Sequence, residues 1–508
     1  MARQQITVDT ITPTSCSESS GPFYDVTYPN SGSSWSQKGA DIDGEANDVY
    51  GSDASLSSDG TIVAIGAGTT GGHVAVYAWN GNAWVQRGAD IDGEAAEDRA
   101  SICSLSSDGT IVAIGAWGND DGGTYAGHVR VYAWSGSAWV QRGADIDGEA
   151  AQDYSGRSVS LSDDGTIVAI AAYLNDGGGN ASGHVRVYEW NSGTSAWDQK
   201  GADIDGEAAD DYSGWSVSLN GDGTIVAIGA IRNDGGGAES GHVRVYEYSG
   251  SSWSQKGADI DGEAANDWSG RSVSLSSDGD IVAIGANLND GGGSNAGHVR
   301  VYEYGGSSWS QKGADIDGEA TLDQSGESVS LSDDGTIVAI ASEYNDGAGT
   351  NAGHVRVYAW SGSAWVQRGA DIDGEAAQDY SGRSVSLSSD GSIVAIGAYG
   401  NDGGGTNAGH VRVYQSDNAV GMQVGDWVYV NHEEAGNDGN VLSVYTYQVT
   451  AIVDADTLTL KWISSTNGYV DDSPCDLCDG TGSSASCGGK APHTFKRDLG
   501  SAYLMFVD

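Results

Sequence analysis

The chain has 508 residues, with 79 Gly, only 5 Pro, 38% hydrophobic residues and a formal charge of −48 from 71 Asp and Glu against 23 Lys and Arg. Such a Gly-rich, Pro-poor chain suits an all-β protein with many tight turns and excludes a disordered one. The charge excludes nucleic acid and anionic membrane as partners, favours cations, and suits salty water.

In chain order, residues 1–21 (MARQQITVDTITPTSCSESSG) lack an apolar core of the signal-peptide kind and read as an N-terminal arm. No later apolar run is long enough to span a bilayer. From residue 22 to residue 415 the chain repeats itself. The string GADIDGE occurs seven times, with its first Asp at Asp41, Asp90, Asp145, Asp203, Asp259, Asp315 and Asp371. The last four are 56 residues apart, and the first interval is 49, so the early units carry deletions.

Four strands are expected in each unit. In the last one, Arg383 to Ser388 alternates apolar and polar residues, and Asp390-Gly391 predicts a type I′ hairpin turn. Ile393 to Ala398 is a continuous apolar run, as in a strand buried on both faces. A Gly-rich loop leads to the third strand, Gly409 to Tyr414, and the fourth surrounds a Trp, as at Ala364 to Arg368. Seven units of four antiparallel strands predict a closed seven-bladed β-propeller. The chain enters it at Phe23 to Val26 and the Trp strand Ser34 to Gly39, which has no first strand before it. It leaves at a third strand with no fourth after it. Residues 34–39 are therefore expected to complete the blade of residues 383–414 and hide two sheet edges.

The D-Y-S-G of Asp379 to Gly382, the S-V-S-L-S-x-D-G, the I-V-A-I-G-A of Ile393 to Ala398 and the following G-H-V-R-V-Y resemble the repeats of the FG-GAP family, the integrin-α-type propellers and their microbial relatives. The resemblance covers about residues 22–415. It implies the propeller fold and an exposed, adhesive or surface role. The calcium loops of that family lie between the first two strands, where this chain has only Ser-Asp-Gly, so their ligands do not carry over.

The acidic loop before each first strand is a separate calcium candidate. Asp90, Asp92, Glu94 and Asp98, and likewise Asp371, Asp373, Glu375 and Asp379, put carboxylates at positions one, three, five and nine. The alternative is that the last Asp caps a turn and the others are solvated or pair with Arg. Arg130, Arg186, Arg244, Arg300, Arg356 and Arg412 recur once per unit on the third strand; buried there, they would need carboxylate partners and predict a ring of ion pairs between blades. The repeated Trp139, Trp197, Trp253, Trp309 and Trp365 read as packing on blade edges. Cys103 replaces a core Val and reads as a buried free thiol. Near-identical units set the same residues seven times around an axis, and the deviations Trp117, Trp215, Arg232 and Glu343 form no acid–base set along the chain, so no enzyme is expected.

After Gln415 the composition changes. Residues 416–508 read as a small β-domain, with strands at Trp427 to Val430, Val441 to Val453 and Thr457 to Ile463. Its V-G-D-W-V and V-T-A-I-V-D-A-D-T-L-T-L resemble a module of bacteriophage structural proteins. Cys475, Cys478, Cys487 and His493 then offer a tetrahedral zinc site; a Cys475–Cys478 disulfide or free thiols are the alternatives.

Taken together, these features point to a structural virion protein of a marine phage: a capsid decoration, tail or fibre component in a larger assembly. It would be assembled in the host cytoplasm and would contact other virion proteins and a host surface glycan or protein. A cellular adhesin or glycan-binding protein, extracellular or on the cell surface, is the alternative.

Overall fold

The computed structural model describes residues 35–69 and 71–416, together with the strands Thr10–Pro13, Phe23–Thr27, Trp427–Glu434, Val441–Asp454, Thr457–Ser465 and Tyr503–Met505. Two compact units result, one of them Trp35–Ser416. No helix of the described residues is long and apolar enough to cross a membrane.

Trp35–Ser416 is a seven-bladed propeller of seven antiparallel sheets. Blade 2 is representative: Ala100–Leu105, Ile111–Ala116, His128–Trp134 and Trp139–Gln141 pair in sequence order, and the two residues Ile146–Asp147 return to pair with His128 and Val129. Blades 1, 3, 4, 5 and 6 begin at Tyr50, Ser158, Ser213, Ser272 and Val329. Blade 7 begins at Ser381–Leu387, and its fourth strand comes from the other end of the unit: Trp35, Ser36 and Gln37 pair with Ser416, Gln415 and Tyr414. Ile42 and Asp43 pair with Val411 and His410. The ring is closed as the strand count requires.

The core lies between blades, because successive residues of each second strand face opposite neighbours. Val112 and Ile114 pack with Val74 and Val76 of blade 1, whereas Ile111 and Ala113 pack with Val159, Leu161, Val168 and Ile170 of blade 3. This two-sided burial is why the second strand reads as an unbroken apolar run. Cys103 is buried and free in the same core.

Three rings of hydrogen bonds tie the blades, and each uses one repeated residue. The first strand has an unpaired edge near the axis. The Leu N–H of its S-V-S-L donates to a Ser Oγ of the preceding blade, as Leu387 does to Ser330 and Leu56 to Ser386, at 2.9–3.0 Å in all seven blades. The turns after the first strands form a second ring, Ser58 to Ser107, Asp163, Gly221, Ser277, Asp333, Ser389 and back to Ser58, each N–H donating to the next carbonyl at 2.8–2.9 Å. On the outer strand each Trp indole donates to the preceding blade's Lys or Arg carbonyl at 2.6–2.9 Å, as Trp365 does to Lys312 and Trp35 to Arg368. The repeated Trp is thus a strap between blades.

The turn differs from the type I′ expectation. Gly391 has φ +63°, Asp390 is not at positive φ, and Gly391 N–H donates to Ser388 O at 2.8 Å. A type I′ turn needs positive φ at both central residues. The Asp acts through its side chain instead, Asp390 Oδ1 accepting from Ser388 Oγ and from Ser392 N–H.

The other unit holds a six-stranded antiparallel sheet in the order Thr10–Pro13, Phe23–Thr27, Thr457–Ser465, Val441–Asp454, Trp427–Glu434, Tyr503–Met505. Phe23–Thr27, read from the sequence as the propeller's entrance, pairs here with Thr457–Ser465, and the propeller starts at Trp35.

Candidate functional site

Two sets of polar residues stand out. The first repeats around the ring. Six of the seven third strands, those of blades 2 to 7, carry His-Val-Arg-Val-Tyr with the His and Arg buried. The guanidinium reaches the acidic loop that precedes its own blade: Arg356 Nη2 donates to Asp317 O at 2.8 Å, and Nη1 lies 3.5 Å from Glu319 Oε1. Arg130, Arg186, Arg244, Arg300 and Arg412 repeat both contacts, the ion pairs spanning 3.4–3.6 Å with Glu94, Glu149, Glu207, Glu263 and Glu375. Blade 1 has Ala75 there, and it packs in one core with Tyr50, which stands where most sister blades have Ser.

The four carboxylates of one loop take separate partners. Asp371 Oδ1 accepts from Gln367 Nε2 at 2.6 Å, as Asp90 does from Gln86. Asp373 and Asp92 give their backbone carbonyls to Arg412 and Arg130. Glu375 and Glu94 face those same Arg side chains. Asp379 and Asp98 are buried and cap the turn, accepting from Glu375 and Ala376 N–H and from Glu94 and Ala95 N–H. The groups placed so that they could hold a metal ion draw on successive loops instead, as in Glu149, His184 and Asp203 or Glu263, His298 and Asp315. Cys475, Cys478, Cys487 and His493 lie outside the described residues.

The second set does not repeat. The residue following the D-x-S-G motif differs from blade to blade: Arg157, Trp215, Arg271, Glu327 and Arg383 in blades 3 to 7. Because every first strand lies at the axis, these residues meet in one arc. Arg157 and Arg271 lie over the Trp215 ring, at 5.4 and 5.0 Å. Arg271 forms a two-pronged ion pair with Glu327, and Arg383 Nη1 reaches Glu327 Oε1 at 2.7 Å and Glu343 Oε1 at 3.5 Å. Asn287 Nδ2 also donates to Glu327, at 2.9 Å. Burial raises the Glu343 carboxyl to about 7, with the Glu327 charge adding to it; the guanidiniums of Arg271 and Arg383 hold Glu327 below its ordinary value in spite of burial. Burial, with Arg271 and Arg383 as like charges, lowers Arg157 to about 10. Among the described residues the Arg157 guanidinium makes no hydrogen bond or ion pair.

Aromatic rings border the arc at the end opposite the hydrogen-bonded turns. Tyr154 stacks on Tyr125 at 5.7 Å and meets Trp117 and Tyr173; Tyr173 meets Tyr212 and Trp215. Arg99 lies over Trp117 at 4.3 Å and Arg232 over Tyr212 at 4.5 Å. All these rings are half-buried, with edges open to solvent. Trp117, Trp215, Arg232 and Glu343, far apart in the chain, thus gather at one end of the axis. The signal for them in the sequence is a few variable positions between constant neighbours: the one after D-x-S-G for Trp215, and the two after the second strand for Trp117, Glu343 and Arg232.

Residues 203–246, 259–302 and 372–414 match the FG-GAP repeat family model. Each match runs from the acidic loop to the end of the His-Val-Arg-Val-Tyr, the stretch that includes the Arg–Glu pair. No curated protein matches the chain. Among solved structures the chain is similar to hydrazine synthase of Kuenenia stuttgartiensis, with 12% identity and a TM-score of 0.49, over 75% of this chain and 98% of that one. Three stretches of this seven-bladed propeller thus match FG-GAP repeats.

Proposed function

We propose that this chain is a non-catalytic, surface-binding propeller of a virus particle, a decoration, tail or fibre component whose axial arc contacts a glycan of the host surface. The observation that carries the reading is the arc from Arg157 to Arg383 with its aromatic border. Seven-fold repetition elsewhere serves the frame, while the residues of this end are varied blade by blade. Half-buried Tyr and Trp faces suit sugar rings, and a guanidinium without a hydrogen-bond partner suits a sugar hydroxyl or carboxyl. Glu327 and Glu343 are buried and held by Arg side chains, away from any substrate, which supports binding rather than catalysis.

Display is supported by the ring closure. Trp35 pairs with Ser416, so the chain enters and leaves the propeller at one place on blade 7. The virion setting rests on the V-G-D-W-V module and the strong acidity, and implies other virion proteins as partners. Zinc on Cys475, Cys478, Cys487 and His493 belongs to the reading as a staple for a segment poor in apolar residues. Calcium on the four carboxylates of one loop does not, because their oxygens take separate partners.

Mass spectrometry of purified particles should find the chain, and the recombinant protein should bind host cells less well as Tyr173→Ala or Arg157→Gln. Absence from particles sinks the virion setting. Unchanged cell binding by both variants sinks the axial site and leaves the cellular adhesin, which the FG-GAP repeats also suit.

A further inference from the structure

We propose that the propeller binds first-row divalent ions, zinc foremost, in His–Glu–Asp sites repeated around the ring, each between two successive acidic loops. The repeat builds the site. The His opens the third strand, the Glu is position five of the loop before that blade, and the Asp is position one of the loop after it. The ligand atoms of Glu149, His184 and Asp203 lie within 4.8 Å of one another, as do those of Glu207, His242 and Asp259, of Glu263, His298 and Asp315, and of Asp41, Glu375 and His410.

The distances point to an ion rather than to direct bonding. His184 Nδ1 is 3.8 Å from Glu149 Oε2 and 4.0 Å from Asp203 Oδ2. His298 Nδ1 is 4.0 Å from Glu263 Oε2, and His410 Nδ1 is 3.9 Å from Asp41 Oδ2. These gaps are too long for hydrogen bonds. The imidazoles are about 1% exposed, and Nδ1 of His242, His298 and His410 has no hydrogen-bond partner. A buried nitrogen left so is costly. Zinc bonds at about 2.0–2.2 Å to nitrogen and oxygen span such gaps with small side-chain movements.

The surroundings prepare the ligands. Glu149 divides its carboxylate, Oε1 facing Arg186 and Oε2 facing His184, and Glu263 does the same between Arg300 and His298. The Arg thereby orients the ligand from behind, as outer partners do in metal sites. A neutral imidazole offers its lone pair to a metal ion. The Glu149 and Asp203 side chains are 45% and 33% exposed, which leaves a path for an ion from solvent. One imidazole with two carboxylates suits zinc and its first-row neighbours, whereas calcium wants six to eight oxygens.

The test uses the full chain, stripped by chelation and then titrated with zinc or calcium. Zinc is expected to raise the melting temperature, and calcium to do so much less. A variant carrying E149Q, E207Q and E263Q should bind fewer zinc ions, one fewer for each substituted site, and lose most of the shift. C475S/C478S/C487S should keep the shift. Should the Glu variant fold poorly, D203N/D259N/D315N removes the opposite ligands and should give the same loss. No zinc-dependent shift in the parent protein overturns the proposal. So does a shift that survives in both carboxylate variants, or one that disappears with the cysteines.

Discussion

Ser389 N–H donates to Ser58 O at 2.9 Å, joining blade 7 to blade 1 and completing a ring of seven turn-to-turn bonds around the axis. The bond exists only because the chain's two propeller ends meet in one sheet. A propeller held by such rings gains from each blade-to-blade contact only while every blade stands in place.

Removal of residues 1–44, which takes Thr10–Pro13 and Phe23–Thr27 from the other sheet as well as Trp35–Gln37 and Ile42–Asp43, should therefore act on the propeller far beyond the strands it deletes. Blade 7 would lose its outer strand, and the third strand, His410–Ser416, would become an open edge. The melting temperature should fall markedly and soluble aggregates should appear on size-exclusion chromatography. A monomer melting like the full chain would show that the overlap is dispensable.

Ser330→Ala removes the acceptor of Leu387 N–H and leaves a donor unsatisfied between blades 6 and 7. The expected cost is about 1–3 kcal/mol. Trp365→Phe, which removes the indole bond to Lys312 O, should cost about 1 kcal/mol. Denaturant unfolding of the two variants checks both values, and a smaller loss for Ser330→Ala than for Trp365→Phe would contradict the assigned roles.

Arg356→Ala and Glu319→Gln separate the two halves of the ion-pair ring. From the sequence, loss of the Arg is expected to strand a buried acid. The Arg side chain is 6% exposed but its Glu is 45% exposed, so water replaces the lost cation. Glu319→Gln should cost less than about 1 kcal/mol. Arg356→Ala should cost about 2–3 kcal/mol, through lost stem packing and the unsatisfied Asp317 carbonyl. Equal costs in urea unfolding would show that the Coulombic contact dominates.

The pH dependence of stability should carry a signature of Glu343, whose neighbours are Glu327, Arg271, Arg383 and Tyr344. Its folded value, near 7, lies above the ordinary 4.5, so the folded state holds a proton that the unfolded state releases. That contribution is full below about 4.5 and is lost as pH rises through 7, by up to about 1.4 kcal/mol per unit. Glu327, lowered, titrates below this window and leaves the sign unchanged. Glu343→Gln should flatten the decline and raise the melting temperature at pH 8 relative to the parent, with no gain at pH 5. The same gain at both pH values would point to packing instead.

Much of the propeller was legible in the chain itself. Seven copies of GADIDGE, a four-strand pattern in each unit and the orphan strands at the two ends are local or countable features, and they suffice for seven blades and for the closure at Trp35–Gln37. The Trp residues, too, read correctly as edge packing. What the chain alone could not decide is which side chains meet. The turn at Asp390-Gly391 depended on a φ that composition leaves open. The four carboxylates of a loop are neighbours in sequence, yet the backbone turns them to separate partners, and the candidate ion sites combine two loops with a His from the strand between. Arg157, Trp215, Arg271, Glu327 and Arg383 are more than fifty residues apart in succession. They touch because the blades set one repeat position around a shared axis, and only the closed ring supplies that axis.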